Sequence, residues 1–195
     1  MLFRSCDVSV KEMVSAYTAF VNHGIRTNPL YVTRIEDSEG NVLARFTPHS
    51  NEVISEESSF KMIDMMRAVV EEGTGTRLRS SRLFPTFCKV PCAGKTGTTD
   101  NHSDAWFMGY TPDLVAGCWV GGEDRDIHFD DMDHGQGAHA ALPVFGMFMD
   151  KVYADSTVFG YLPSTKFDIP EDYDPCAGFD NPEGEAIDNY SIESF

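Results

Sequence analysis

The sequence predicts a mixed domain, α/β (α+β) in class, in which helices pack on an antiparallel sheet. Two segments repeat apolar residues at helical spacing, a third helical segment follows later, and the last of three strand segments has the β-branched and aromatic composition of a buried strand. The helical segments are 9–23, 55–72 and 139–154, and the strand segments are 92–98, 105–110 and 114–121. A chain of 195 residues with 42% hydrophobic content is long enough to bury a core around such a sheet.

Two of the helices have recognisable start and stop signals. Ser9 and Glu12 have the spacing of a capping box, and Gly24 stands where that helix is expected to end. Ser55 is placed to cap the second helix, whose first turn is acidic, and Gly73 follows its last apolar residue.

The connections between the elements also have predicted forms. Residues 29–35 and 42–46 flank the turn-forming run 37–41 and are predicted to pair as a hairpin. The tight turn at 111–113 joins the last two strands. The connection 74–91 is long for a compact domain, and a loop of that length usually shapes a site.

Charge and hydropathy exclude several classes of protein. The formal net charge is −16, and so acidic a chain is a poor partner for a phosphate backbone, which excludes nucleic acid. No apolar run approaches the roughly 20 residues of a spanning helix, and the first ten residues lack the pattern of a signal peptide. Ten Asp or Glu and one Lys lie in 155–195. We therefore predict a domain over 1–154 followed by an acidic, proline-containing tail that is extended and partly disordered.

Cysteine and histidine predict no metal site and no cofactor. The five cysteines cannot all pair within one chain, and Cys88 and Cys92 lack the second ligand pair of a zinc site. His128, His134 and His139 lie among aspartates, but their spacing is not that of a helical ligand pair. A solvated acidic loop is the favoured interpretation of that stretch.

The segment 93–99, Ala-Gly-Lys-Thr-Gly-Thr-Thr, carries the most chemistry, and two interpretations compete for it. A phosphate-binding loop would match Gly-Lys-Thr, but it requires glycine at position 89, where this chain has Lys89. The alternative is a strand with the sequence K-T-G, at whose edge an acyl donor adds as a further strand. In that interpretation Lys95 is a cation beside a nucleophile and Gly97 permits close approach of substrate. The main chain of Thr98 faces the scissile carbonyl, and the hydroxyls of Thr96 and Thr98 hold a carboxylate.

The flanking segments decide between the two. A G-T-G-T run follows the second helix, D-A-W-F-M-G-Y-T-P-D follows the K-T-G strand, and W-V-G, G-Q-G and A-L-P come later. In order and spacing these segments resemble class A penicillin-binding proteins, over roughly residues 3 to 153. The resemblance implies the fold shared by penicillin-binding transpeptidases and serine β-lactamases, here present in part as the C-terminal portion of a DD-transpeptidase domain.

The resemblance also implies an activity and its partners. Family members acylate a serine with a D-Ala-D-Ala stem peptide and transfer it to the amine of a neighbouring peptidoglycan strand. By this resemblance Lys95 is the catalytic position and Thr96, Gly97 and Thr98 bind substrate, with stem peptides and β-lactams as ligands. The implied location is the periplasmic side of a bacterial inner membrane, with any membrane contact made through an anchor outside this chain.

The chain departs from the family pattern in one respect. The family has a nucleophile in S-x-x-K and then S-x-N, both before K-T-G, and no S-x-N occurs here. The single S-x-x-K, Ser58 to Lys61, falls on the second helix, so we expect Ser58 to be an exposed first-turn residue. We therefore expect the catalytic serine to lie in an N-terminal part of the same protein that is missing from this chain, and the chain alone to be inactive.

This expectation has a structural consequence and leaves two alternatives open. Without a nucleophile helix, one face of the sheet should expose apolar surface, and we expect self-association, dependence on the missing part, or marginal stability. The first alternative is a serine β-lactamase or β-lactam sensor, which shares the K-T-G strand. The second is a non-catalytic fragment that docks on another polypeptide.

Overall fold

A computed structural model of the chain describes residues 7–175 and contains five helices and seven strands in that range. The elements are, in order, α1 (Val10–Val21), β1 (Ile25–Thr27), β2 (Arg34–Glu36), β3 (Val42–Arg45), β4 (Ser50–Glu52), α2 (Glu56–Glu71), β5 (Ala93–Thr98), β6 (Asp104–Tyr110), β7 (Val115–Gly121), α3 (Met132–Gly135), α4 (Ala141–Ala154) and α5 (Ser156–Phe159). Two 3₁₀ helices, Thr76–Arg79 and Phe87–Lys89, lie within the long connection between α2 and β5.

The predicted helix caps are confirmed. The Ser9 hydroxyl accepts from the Glu12 N–H, and the Glu12 carboxylate accepts from the Ser9 N–H at 2.8 Å, which completes a capping box. Ser55 caps α2 by accepting from the N–H of Ser58. These bonds satisfy main-chain donors that a helix leaves unpaired at its start.

A three-stranded antiparallel sheet with the order β5-β6-β7 organises the domain. Ala93 lies opposite Tyr110 at one end of the β5–β6 ladder, and Thr98 lies opposite Ala105 at the other. The three strands lie within one or two residues of their predicted bounds. Strand β5 is at the edge of this sheet among the described residues.

Helices cover both faces of the sheet. α4 packs on the face that carries Phe107, whose ring lies 4.8 Å from that of Phe145. α1 and α2 pack on the opposite face, where Tyr17 meets Tyr110 with ring centroids 6.3 Å apart. This packing reduces the predicted exposed sheet face to one end of the sheet, where Trp119 on β7 remains 38% exposed. Further exposed apolar side chains, those of Val144, Met147 and Phe148, lie on α4.

The hairpin is confirmed but shorter than predicted. β2 pairs with β3, with Arg34 opposite Arg45 and a bulge between Ile35 and Glu36. Residues 29–33 are outside the strand. A second antiparallel pair, β1 with β4, was not predicted, because strands of three residues show too little alternation to recognise.

The described part of the tail packs on the domain. Phe167, Ile169 and Tyr173 contact the cluster formed by α1 and α2, and the Phe167 ring lies 5.9 Å from that of Tyr110. Within the predicted tail, α5 occupies Ser156–Phe159, residues 160–175 contain no helix or strand, and the three side chains named above contribute to the core. The predicted disorder falls partly on 176–195, which lie outside the described residues. None of the described helices is long and apolar enough to cross a membrane.

Candidate active site

The K-T-G segment forms β5 because its first half is built to lie against β6. Ala93 and Gly94 are buried, and a Cβ on Gly94 would come within 2.8 Å of the Met108 carbonyl oxygen and of the Phe107 ring. Only glycine allows the two strands to approach this closely. The second half of β5, from Lys95 to Thr98, is exposed or half-buried.

The ladder fixes which main-chain groups face the open edge of β5. The Thr99 N–H donates to the Asp104 carbonyl at 3.1 Å, so that pair is a hydrogen-bonded one. Hydrogen-bonded pairs alternate along an antiparallel ladder, which turns the main chain of Lys95 and Gly97 toward β6. The same alternation turns the N–H and C=O groups of Thr96 and Thr98 toward the open edge.

Lys95 reaches this edge with its side chain. It is exposed, lies opposite Met108, and its Nζ donates to the Thr96 carbonyl at 2.8 Å. The ammonium is therefore held beside the main-chain groups to which an added strand would bind. A cation in this position can attract a carboxylate or stabilise negative charge that develops at the edge.

The two threonine hydroxyls lie on the other face of β5 and are already positioned by neighbours. Thr96 Oγ1 lies 2.8 Å from Thr74 Oγ1, and Thr98 Oγ1 accepts from the Gly137 N–H at 3.0 Å. Because the Gly137 bond uses a lone pair of the Thr98 oxygen, its O–H proton stays available to donate. Hydroxyl donors in a row are suited to a carboxylate, and the role of these two threonines in binding one stays a prediction.

Gly137 closes tightly over the strand. A Cβ at this position would come within 2.3 Å of the Trp106 carbonyl oxygen and 2.6 Å of the Gly97 carbonyl oxygen. The chain between α3 and α4 therefore lies directly on the backbone of β5 and β6. Its contact with Thr98 holds that hydroxyl in place.

The long connection 74–91 contributes Thr74 to this site. Its start is anchored by Arg79, whose Nε donates to Glu71 at 3.1 Å and whose Nη1 donates to the Val90 carbonyl at 2.8 Å. These bonds tie both ends of the loop to the end of α2. The expectation that this loop shapes a site agrees with the Thr74 contact.

Ser58, the only serine of an S-x-x-K pattern in the sequence, is exposed in the first turn of α2. Its hydroxyl accepts from Ser55 Oγ at 2.9 Å. Lys61 Nζ lies 2.7 Å from Glu57 Oε1, and that hydrogen bond raises the pKa of the Lys61 ammonium. A lysine held protonated in this way is a poor general base.

The predicted acidic loop has local contacts of its own. His134 Nδ1 lies 2.8 Å from Asp131 Oδ1, and this hydrogen bond lowers the pKa of the Asp131 carboxyl. His139 Nδ1 lies 2.7 Å from the Asp133 carbonyl oxygen. Within residues 7–175, no three His, Cys, Asp or Glu side chains come together as metal ligands.

Sequence reasoning missed two residues of this site, Thr74 and Gly137. Both lie in segments that resemble the family pattern, the G-T-G-T run and the G-Q-G run. That placement was the available signal, but the sequence does not show which side chain or amide meets a given threonine.

The edge strand K-T-G, the lysine at its open edge and the positioned hydroxyls beside it agree with the class of transpeptidase that the flanking segments resemble. A family model described as penicillin binding protein transpeptidase domain matches residues 5–120, and the chain belongs to this family. The resemblance to class A penicillin-binding proteins is thereby confirmed.

The chain is also similar to individual members of the family. It is 34% identical to penicillin-binding protein 1A of Aquifex aeolicus, over 84% of this chain and 20% of that protein. Penicillin-binding protein 1A from Haemophilus influenzae has the same fold, with a TM-score of 0.69 at 21% identity over 84% of this chain and 28% of that chain. Penicillin-binding protein A from M. tuberculosis, solved as an imipenem acyl-enzyme complex, has a TM-score of 0.57 at 15% identity over 74% of this chain and 31% of that chain. These structures confirm the predicted fold class.

Proposed function

We propose that this chain contributes the substrate-binding K-T-G strand to a peptidoglycan DD-transpeptidase that works through an acyl-serine. The observation that carries the proposal is the open edge of β5, which presents the main chain of Thr98 beside Lys95. A stem peptide ending in D-Ala-D-Ala would add to this edge as an antiparallel strand. Its terminal carboxylate would accept from the hydroxyls of Thr96 and Thr98.

In the proposed reaction, a serine hydroxyl attacks the carbonyl carbon of the penultimate D-Ala and the terminal D-Ala leaves. The amine of a neighbouring strand then attacks the acyl-serine and restores the hydroxyl. The residues of this chain bind and orient the donor and place a positive charge beside the reacting centre. Gly97 leaves the face of the strand open to the approaching peptide.

The nucleophile in this proposal is not Ser58. Its only lysine neighbour in the motif is paired with Glu57, and no S-x-N occurs in the sequence. The chain spans about a fifth of the Aquifex aeolicus relative. We infer that the serine and the S-x-N motif come from another part of a longer protein, and that the 195-residue chain alone forms no acyl-enzyme.

β-lactams are proposed as ligands of the same edge. The M. tuberculosis relative forms an acyl-enzyme with imipenem, and a β-lactam carries a carboxylate and an amide that would bind β5 as a stem peptide does. We place the whole protein on the periplasmic side of a bacterial inner membrane, where peptidoglycan is assembled.

A chimera tests the proposal directly. The matching region of the Aquifex aeolicus relative is replaced by residues 5–154 of this chain, and labelling by a fluorescent penicillin is followed with time. We expect labelling of the chimera and a loss of about 100-fold or more in its rate in the Lys95→Ala variant. Lys151→Ala, which removes an exposed lysine from α4, is the matched control and should label normally. A folded chimera that is never labelled, or that labels equally well without Lys95, would refute the proposal.

The chain alone provides the complementary test. Incubated with the same penicillin and analysed by intact mass, it should gain no covalent adduct. A stable adduct mapped to Ser58 would contradict the assignment of the nucleophile to another part of the protein.

A further inference from the structure

A concave site separate from the proposed donor edge lies at the end of the sheet, next to the K-T-G strand. It is an open pocket of about 500 Å³ on the face of the sheet that also carries Lys95. The lining includes two tryptophans, three carboxylates and one arginine: Trp106, Trp119, Asp7, Asp104, Glu123 and Arg125. Nothing in the proposed donor site uses this pocket.

Two tryptophans form the aromatic wall of the pocket. Trp106 and Trp119 lie opposite each other in the β6–β7 ladder, with ring centroids 6.3 Å apart and planes inclined by 46°. The Trp119 Nε1–H donates to Asp104 Oδ1 at 2.9 Å, which fixes the indole, and 38% of this residue is exposed. An indole face held in place and open to solvent is the preferred aromatic partner of an organic cation.

The charges around the wall favour a cation as well. Asp7, Asp104 and Glu123 line the pocket against a single base, Arg125, which lies 3.0 Å from Asp7 in a largely exposed ion pair. Arg125 therefore neutralises Asp7, and no other cation among the described residues lines the pocket to neutralise Asp104 and Glu123 beside the two indoles. Carboxylates and an aromatic face together select a positively charged group over a neutral or anionic one.

We propose that this pocket binds a primary alkylammonium group. The identification of its natural ligand rests on the proposed function: the acceptor in transpeptidation is an amine on a neighbouring strand, which is an alkylammonium at neutral pH. Thr99, which lines the pocket, directly follows Thr98 in the chain, so the pocket lies at the end of the sheet where the K-T-G strand ends, with β6 between Trp119 and the donor edge. The inference concerns docking of the charged group and involves no bond formation.

The chain offers a direct probe of this pocket, because it contains two tryptophans and both line the site. Intrinsic fluorescence is titrated with Nα-acetyl-lysine amide, and with Nα-acetyl-norleucine amide as the uncharged analogue of similar shape. We expect a saturable change with the lysine compound, with a Kd in the range of about 1 mM, and at least about fivefold weaker binding of the norleucine compound.

Three variants locate the site. Asp104→Asn keeps an oxygen for the Trp119 N–H but removes a charge, and Glu123→Gln removes the second; each should raise Kd about threefold or more. Trp119→Leu, followed through the remaining tryptophan, should raise it about fivefold. Glu39→Gln, in the exposed turn of the β2–β3 hairpin, is the control and should leave Kd unchanged.

The outcomes separate this inference from the proposed function. Equal response to the lysine and norleucine compounds, or a Kd that is unchanged in all three pocket variants, overturns the ammonium site whatever the penicillin labelling shows. Saturable, variant-sensitive binding supports the site even if the chimera is never labelled, in which case the proposed function fails and the pocket binds ammonium groups in another context.

Discussion

Replacing Gly137 by alanine should destabilise the chain by forcing the segment between α3 and α4 away from the sheet. The added Cβ would lie 2.3 Å from the Trp106 carbonyl oxygen, whereas ordinary contacts begin at 3.4 Å. The segment must therefore move by about 1 Å, which stretches the 3.0 Å bond from the Gly137 N–H to Thr98 beyond hydrogen-bonding distance. The lost bond costs about 1 kcal/mol and the overpacking about 1–3 kcal/mol more.

Thermal unfolding of the 195-residue chain measures this effect. A loss of about 3 kcal/mol should lower Tm by about 6–12 °C in a chain of this size. Gly137 has no positive φ, so alanine is compatible with its backbone conformation and the effect is steric. Where space exists for the added methyl group, replacing glycine by alanine stabilises a protein by about 0.4–1 kcal/mol. A loss of stability would therefore indicate a steric clash, and a gain would indicate free space at position 137.

A double-mutant cycle identifies the bond that is lost. Thr98→Val alone should cost about 1 kcal/mol, but it should cost almost nothing when added to Gly137→Ala, because the bond is then already broken. Thr47→Val, at an exposed position after β3, is the matched control and should change stability by less than about 0.5 kcal/mol. An unchanged or raised Tm for Gly137→Ala, or additive effects in the cycle, would refute this account of the segment.

Three further predictions concern stability and reactivity. Asp150→Ala should lower the free energy of unfolding by about 3 kcal/mol in urea denaturation, because the carboxylate accepts from two N–H groups at the start of the second 3₁₀ helix at 2.8 Å each. Asp150→Asn keeps an oxygen and should lose less stability. Equal losses in the two variants would contradict the assignment. Burial raises the pKa of the Cys92 thiol to about 12, so little reactive thiolate is present at pH 8. When the chain is alkylated at pH 8 and the modified peptides are mapped, the half-buried Cys88 should react well before Cys92. Equal alkylation rates would contradict the burial of Cys92. Hydrogen bonds from Ser9 lower the pKa of the Glu12 carboxyl, so its stabilisation of α1 is present above the ordinary glutamate pKa and is lost as pH falls through the lowered value. The protection factors of amides in α1, which are exchange rates corrected for the intrinsic pH dependence, should therefore fall over that window in the natural chain. An identical pH dependence of protection in Glu12→Gln would argue against the capping box.

Local signals explain why the helices and the K-T-G strand could be predicted. Ser9 with Glu12 and Ser55 with its acidic first turn are hydrogen-bonding patterns that act within one helical turn, so they operate wherever the segment is placed. The K-T-G strand was recognised because its flanking segments match a family in order and spacing. The fold class followed from these elements and is the one observed.

The parts that could not be predicted depend on contacts between distant segments. The bond from Gly137 to Thr98 joins residues 39 positions apart, and no local pattern marks its partner. Phe167 in the tail packs on α1 and α2, although its proline-rich surroundings indicate an extended chain. The tryptophan pocket arises only when β6 and β7 are paired in register, which places Trp106 opposite Trp119.

Amide hydrogen exchange in β5, resolved by residue, tests most directly whether the K-T-G strand presents an open edge. The amides of Lys95 and Gly97 are bonded to β6 and should exchange at least about tenfold more slowly than those of Thr96 and Thr98, which face outward. Protection of Thr98 equal to that of Gly97 in the free chain would show that the edge is closed, and the proposed binding of a stem peptide there would then be wrong.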